Sequence, residues 1–411
     1  MIDATEQRRA EVGALTELGL TEAAQAAAGV HRTHRAISDR VFAAVRRGVG
    51  PTATRIQRVH DPITDGIYRT IDATVTTAAQ LGGRWADLPL STPPSTTTRG
   101  AGIIGVVHGL IGDELDAKQS TLAANNLSVR VAGRAVTPDA AGLAQAFPRA
   151  TRRIAVYLHG LVETEHAWRL GQRTSAPYEL HLTNRGVTNV FIRYNTGRRI
   201  STNGHDLAEL LDDLVRFWPV DVDDLTLLGH SMGGLVARSA AHHGRQAGHL
   251  WPDRVRTSIS LGTPHLGAPL EQLAHHASAA LTTQPETDAL GRLLRRRSAG
   301  IRDLRAGSLL DDDWLDRDPD SLAAAVAADV PLLPGADHYF VWATLARNPR
   351  NPLSRSLGDG LVLHHSASGR NRTRNLGFDP AHGFHRAGAH HMTLLNDPQV
   401  AHQLISWIDR D

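Results

Sequence analysis

The pattern of apolar and polar residues changes near residue 125 of this 411-residue chain. Before that point no segment alternates as a strand would, and apolar residues recur at helical spacing, for example in Ile37 to Val45 and in Asp65 to Gln80. We therefore predict a small helical module over residues 1–95. A polar, Pro-rich stretch at residues 89–100 predicts a linker. A connecting segment is expected to follow over residues 96–124.

Within that connecting segment, Gly100 to Leu115 is apolar and rich in glycine, and it predicts a helix packed on the rest of the chain. Beyond it, Leu127 to Val131 alternates apolar and polar residues. Ala132-Gly133 can turn this strand into Arg134 to Thr137, which predicts an antiparallel hairpin.

Apolar runs of the kind found in strands buried on both faces alternate with helical patterns after the hairpin. The runs cover residues 154–158, 187–194, 225–228, 255–261 and 339–345, and the helical patterns cover 206–218, 232–243 and 399–408. Such alternation predicts an α/β fold, with a mostly parallel sheet and helices on both faces, over residues 125–411. Residues 264–330 interrupt the alternation and predict a helical insertion that serves as a cap or lid.

Composition excludes several classes of function. The 44 Lys and Arg residues nearly balance the 42 Asp and Glu residues, so the sequence offers no nucleic-acid-binding surface. The absence of cysteine excludes disulfides, thiolate metal sites and a cysteine nucleophile. No cluster of Asp, Glu and His has metal-ligand spacing, so we expect neither a metal nor a cofactor. With no signal-peptide pattern and no run of ~18 apolar residues, the expected location is the cytoplasm.

The segment Gly229-His230-Ser231-Met232-Gly233 fits the pattern Gly-x-Ser-x-Gly. It directly follows a predicted strand and directly precedes a predicted helix, as a nucleophile elbow requires. So tight a turn needs small residues on both sides of the serine, and the helix N-terminus favours developing negative charge. The alternative is a plain Gly-rich turn between a strand and a helix. We predict that Ser231 is a catalytic nucleophile.

Together with Gly229 to Leu235, three further segments resemble motifs of the α/β-hydrolase superfamily, especially of its bacterial lipases and the related GPI-inositol-deacylase-like hydrolases. They are Leu158-His159-Gly160-Leu161, the run from Leu261 to Pro269 that begins Leu-Gly-Thr-Pro-His, and Gly358-Asp359-Gly360-Leu361-Val362. The resemblance covers residues 125–411 and implies an α/β-hydrolase fold.

A serine nucleophile needs a base within hydrogen-bond reach, and the base needs a carboxylate that orients it. On this fold the three follow one another as Ser, acid and His. Asp359 lies in a Gly-flanked turn after the last predicted strand and is the expected acid, although an Asp-Gly turn without chemistry is the alternative. Asp337 precedes that strand and would lie at the wrong edge of the sheet, and Asp379 is a weaker candidate.

The base is expected on a loop before the last helix, where His390 and His391 both lie. Lipases of this type end with His-x-x-Leu-Leu, and His391 to Leu395 fits that spacing, so the resemblance implies His391 as the base. One oxyanion donor is expected to be the backbone N–H of Met232, which follows the nucleophile. The resemblance implies that the N–H of Leu161 is the other.

These expectations describe a serine carboxylic-ester hydrolase, a lipase or esterase that works through an acyl-enzyme. Its expected partners are acyl-ester or lipid substrates, with no nucleic acid, and a lipid surface or granule for peripheral contact. An acyltransferase or thioesterase would use the same triad and is the first alternative. A non-catalytic lipid- or granule-binding protein is the second, and the presence of all three triad residues argues against it. The basic run Arg295 to Arg297 is either a solvated helix face or a site for anionic lipid headgroups.

Overall fold

A computed structural model describes the chain over residues 4–17, 92–123, 127–170, 172, 175–268, 298–317, 327–347 and 358–409. The helices predicted around Ile37 and Ile67 and the basic run at 295–297 lie outside the described residues. So does most of the predicted cap, of which residues 264–268, 298–317 and 327–330 are described.

Eight strands form a single sheet in the order β2-β1-β4-β3-β5-β6-β7-β8. The strands are β1 (Leu127–Val131), β2 (Arg134–Val136), β3 (Arg153–Leu158), β4 (Val187–Tyr194), β5 (Asp224–His230), β6 (Val255–Leu261), β7 (Asp337–Thr344) and β8 (Gly383–Ala387). β1 pairs antiparallel with β2 and with β4, and the other five pairs are parallel. The predicted hairpin and the predicted mostly parallel sheet are both confirmed, whereas β8 is an additional strand.

Helices cover both faces of this sheet. The described helices are α1 (Ala4–Glu17), α2 (Thr98–Ala117), α3 (Ala140–Ala146), α4 (Tyr178–Thr183), α5 (Ile200–Phe217), α6 (Met232–Ala247), α7 (Ala299–Asp303), α8 (His364–Ala367) and α9 (Pro398–Ile408). Consecutive strand residues enter opposite cores, because side chains alternate along a strand. Val156 packs with the leucines of α5 and α6, and Tyr157 packs with those of α4 and α9.

Helix α2 packs against the loops that follow β3 and β4. A Cβ added at Gly109 would overlap Val162, and one added at Gly112 would overlap the Asn195 side chain. Asn195 Nδ2 donates a hydrogen bond of 2.9 Å to the carbonyl oxygen of Gly112. The backbone departs from helical geometry at the preceding Ile111 (φ −140°, ψ 21°). The predicted Gly-rich helix is therefore present, and it is kinked at Ile111, next to the contact between Gly112 and the buried Asn195 amide.

The Pro-rich stretch that we predicted as a linker is packed where the structure describes it. Pro93, Pro94 and Ser95 are buried. Ser95 donates to the Glu11 carboxylate of α1 from its backbone N (2.9 Å) and from its Oγ (2.6 Å). Its carbonyl oxygen accepts from Arg193 Nη1 on β4 at 2.6 Å. The buried Glu11 carboxylate needs hydrogen-bond donors, and Ser95 supplies two of them. This end of the stretch is therefore packed against α1 and is not an exposed linker.

Candidate active site

Ser231 occupies the tight turn between β5 and α6. Its backbone has φ 53° and ψ −121°, a conformation that residues with a side chain rarely adopt. A Cβ at Gly229 would overlap the backbone of Gly234, and one at Gly233 would overlap the carbonyl of Leu158. The pattern Gly-x-Ser-x-Gly is therefore required sterically here, and the turn has the geometry of a nucleophile elbow.

The positive φ of Ser231 gives a test of backbone strain that does not depend on activity. We expect Ser231→Gly to be more stable than Ser231→Ala by about 1 kcal/mol, because relief of strain outweighs the extra chain entropy that glycine loses on folding. Thermal or urea denaturation of the two variants measures the difference. Equal stability would mean that the strain in this turn is no larger than the entropy cost of glycine, about 0.5–1 kcal/mol.

Asp359 and His391 form a buried hydrogen-bonded pair. His391 Nδ1 donates to Asp359 Oδ2 at 2.7 Å, and the His391 backbone N–H donates to the Asp359 carbonyl oxygen at 3.1 Å. Asp359 Oδ1 accepts from the N–H groups of Leu361 (2.9 Å) and Val362 (2.8 Å). These bonds fix the carboxylate, and the carboxylate in turn fixes the imidazole with a proton on Nδ1.

Burial by itself lowers the pKa of His391, but its partners reverse the effect. The charge and hydrogen bond of Asp359, joined by the charge of Glu163, raise the pKa of the imidazole above its ordinary value.

The pair lies beside Ser231 through the end of β6. The N–H of Ser231 donates to the carbonyl oxygen of Leu261 at 2.8 Å. A Cβ added at the next residue, Gly262, would lie 3.0 Å from both Cε1 and Nδ1 of His391. Ser231 and the hydrogen-bonded His391–Asp359 pair therefore both lie next to the carboxyl end of β6.

The alternative acids and base lie in different surroundings. Asp337 begins β7, so it stands at the amino edge of the sheet, where its carboxylate accepts from Tyr339 Oη at 3.1 Å. Asp379 accepts from the N–H of Ala381 at 2.8 Å, as the cap of a short 3₁₀ helix. His390 is half-buried, and within the described chain its Nδ1 has no hydrogen-bond partner. The imidazole that bonds Asp359 is that of His391.

The loop after β3 lies directly against the serine. A Cβ added at Gly160 would lie 3.0 Å from Ser231 Cβ. His159 donates from Nδ1 to the Gly160 carbonyl oxygen (2.9 Å) and accepts at Nε2 from the N–H of Tyr194 (3.2 Å). Complete burial lowers the pKa of His159 to about 4, so the ring is neutral and holds the loop. Leu161, the expected oxyanion donor, follows Gly160 in this loop, and Met232 follows Ser231.

Sequence reasoning assigned no role to two other buried side chains of the site. Glu163 Oε2 accepts from the N–H of Gly160 at 2.6 Å and lies 3.0 Å from His230 Nδ1. Burial by itself raises the pKa of Glu163, but the His230 charge and the hydrogen bonds from His230 and Gly160 bring it below its ordinary value. The only local signals were a glutamate three residues after Gly160 and a histidine inside Gly-x-Ser-x-Gly.

Among the described residues, no group of three or more His, Asp and Glu side chains is placed to hold a metal ion. None of the described helices is both long and apolar enough to cross a membrane.

Residues 159–317 match the family model of the PGAP1-like alpha/beta domain. No curated protein sequence matches the chain.

Several solved structures are similar to the chain. A Bacillus licheniformis lipase in mature form is 17% identical, with 62% of this chain and 91% of that chain covered and a TM-score of 0.39. A Pyrococcus furiosus esterase is 13% identical, with 64% and 83% covered and a TM-score of 0.36. Aspergillus fumigatus lipase B is 13% identical, with 68% and 55% covered and a TM-score of 0.35. The chain has the α/β-hydrolase fold by its sheet topology, and its residues 159–317 are similar to the PGAP1-like alpha/beta domain.

Proposed function

We propose that the protein is a serine carboxylic-ester hydrolase, a lipase or esterase acting on acyl esters or lipids, with Ser231, His391 and Asp359 as its catalytic triad. The observation that carries the proposal is the buried 2.7 Å hydrogen bond between His391 Nδ1 and Asp359 beside a serine held at positive φ. That bond holds the tautomer in which Nε2 of His391 accepts a proton.

In this mechanism Ser231 Oγ attacks the acyl carbonyl while its proton passes to His391 Nε2. The backbone N–H groups of Met232 and Leu161 donate to the tetrahedral oxyanion, and losing one such donor typically costs about 3–4 kcal/mol of transition-state stabilisation. The imidazolium then protonates the leaving alcohol, which departs and leaves the acyl group on Ser231. Water attacks the acyl-enzyme with His391 again as base. The imidazolium then returns this proton to Ser231 Oγ as the bond to the acyl carbon breaks, which releases the acid and regenerates the serine.

The proposed function is tested with a panel of p-nitrophenyl esters from acetyl to palmitoyl and with an alkyl fluorophosphonate. We expect hydrolysis of at least one ester and covalent labelling of Ser231, located by peptide mass spectrometry. Labelling of another serine, or no hydrolysis across the panel, would contradict the proposal. An alcohol added as a competing acceptor shows whether the acyl group goes to water or to the alcohol, which separates a hydrolase from an acyltransferase.

The pH dependence follows from the base. The neutral imidazole of His391 is the active form, and the pKa of this group is raised by Asp359 above the ordinary 6.5. We therefore expect kcat/KM to fall as the pH drops through an apparent pKa above 6.5, since protonation removes the base. A profile measured between pH 5 and 9 in buffers of constant ionic strength checks this. An acid limb below pH 6 would show that His391 does not control the rate.

A further inference from the structure

We propose that Glu163 is a second carboxylate of the active site, a positioning residue that fixes the loop carrying the Leu161 N–H and holds negative charge near the His391 imidazole. This inference rests on the proposed function, which makes His391 the base and Leu161 an oxyanion donor. Three observations support it: the bonding of the loop, the position of His230 and the charges around His391.

The bonding of the loop leaves one N–H for a substrate. The Gly160 N–H donates to Glu163 Oε2 at 2.6 Å, and the Glu163 N–H returns to the Gly160 carbonyl oxygen at 3.2 Å. The Val162 N–H donates to Thr196 Oγ1 at 3.3 Å. Of residues 160 to 163, only Leu161 has an N–H that donates to no group within the described chain. The Glu163 carboxylate therefore closes the turn and occupies the neighbouring donor, so the Leu161 N–H stays available to an oxyanion.

His230 connects this carboxylate to the segment of the base. Because a carboxylate can only accept, His230 Nδ1 donates to Glu163 Oε2 at 3.0 Å. The other ring nitrogen of His230 lies 3.4 Å from the carbonyl oxygen of His391, and the two imidazole rings are 4.7 Å apart between centroids. The His230 side chain is fully buried, and that of Glu163 is 8% exposed, so solvent screens their interaction little.

The two carboxylates near His391 both affect the pKa of its imidazole in the same direction. Asp359 and Glu163 both favour the imidazolium and raise its pKa, whereas burial opposes them. His390 also faces this imidazole, and burial lowers the pKa of His390 below its ordinary value. On the other side, His230 faces Glu163 and favours its ionised form, whereas the nearby His159 ring is neutral. Glu165 of the same loop is paired with Arg193 at 2.6 Å. Glu163 is thus the loop carboxylate whose charge reaches the base.

Glu163→Gln tests the proposal because it keeps the shape of the side chain, and an amide oxygen can still accept from Gly160. We expect kcat on a short ester to fall about tenfold while KM changes less than about threefold. The acid limb of the kcat/KM profile should move to lower pH by about half a unit or more, since the lost charge no longer raises the pKa of His391. Glu179→Gln is the matched control. That carboxylate pairs with Arg169 at 3.2 Å, and its loss should leave both measurements unchanged.

Glu163→Asp separates the effect of the negative charge from the effect of the hydrogen bond to the Gly160 N–H. The shorter side chain keeps the negative charge but moves it away from the Gly160 N–H. We expect the position of the acid limb to be largely retained while kcat falls. A lower kcat with an unmoved acid limb in both variants would overturn the electrostatic role. Melting temperatures of both variants are measured beside the kinetics, and a loss of kcat that only follows a loss of stability would overturn the positioning role as well.

A titration of His391 by NMR gives a readout that needs no activity. The His391 imidazole signal, assigned by its loss in His391→Gln, should titrate at lower pH in Glu163→Gln than in the wild type. An unchanged pKa would overturn the electrostatic role of Glu163 whatever the enzyme hydrolyses. Absence of ester hydrolysis and of Ser231 labelling in the wild type would instead overturn the proposed function, so the two failures are distinguishable.

Discussion

Ser231→Ala is expected to lower kcat on any ester that the protein hydrolyses by about four orders of magnitude or more, and to abolish labelling by a fluorophosphonate. Without Oγ no acyl-enzyme forms, and what remains is direct attack by water aided by the oxyanion donors. The backbone of the turn is held by the Ser231 N–H bond to Leu261 and by the Gly234 N–H bond to the Ser231 carbonyl, and alanine keeps both. Kinetics of the variant measure the loss of kcat, and its melting curve shows whether the fold is retained.

Ser406→Ala is the control, because Ser406 is an exposed serine on α9 far along the chain from the elbow. It should retain wild-type kcat and labelling. If Ser231→Ala lost less than about tenfold in kcat, the main route to product would not pass through a serine ester, and the triad assignment would fail.

The strands that the sequence predicted best are those buried on both faces. Residues of β3 and β5 contact cores on both sides of the sheet, so their apolar residues run almost without interruption. Such runs are visible without knowledge of the partners. The carboxyl ends of these strands also place the motif residues, which is why Ser231 and the His159-Gly160 segment could be located from local sequence.

Elements held by polar contacts were harder to predict. β8, Gly383–Ala387, contains glycine, histidine and arginine, and all its residues are only partly buried, so it shows neither an apolar run nor alternation. Helix α5 begins at Ile200, six residues before the predicted Asp206, because its first turns are fixed by buried polar side chains. Among these, Ser201 Oγ donates to Asp311 at 2.6 Å and Asn203 Nδ2 donates to the Asn195 carbonyl at 2.9 Å.

The same distinction applies to the site. Asp359 and His391 stand in short motifs with a defined chain order, and the structure brings them into contact. Glu163 and His230 contribute through contacts between segments about 67 positions apart, a separation at which no local pattern exists. Sequence reasoning identified the motif residue Leu161 but not Glu163, because nothing in the sequence shows that the Gly160 N–H donates to the Glu163 side chain.

His391→Ala is expected to lower kcat by about four orders of magnitude or more, close to the loss for Ser231→Ala, since the members of a triad act as a unit. His390→Ala should cost less than about tenfold, because within the described chain its Nδ1 bonds nothing, whereas His391 Nδ1 bonds Asp359 at 2.7 Å. Kinetics of both variants on one short ester provide the comparison. The double variant Ser231→Ala/His391→Ala should be no slower than either single variant by more than about threefold.

A pH profile makes the comparison of the two histidines sharper. With His391 removed, the residual rate should lose the acid limb and rise steadily with hydroxide, because no imidazole remains to take the proton from Ser231. His390→Ala should keep the limb, since the Asp359–His391 pair is intact. If instead His390→Ala lost the limb and His391→Ala kept it, the base would be His390, and the carboxylate contact at His391 would serve only to hold the loop before α9.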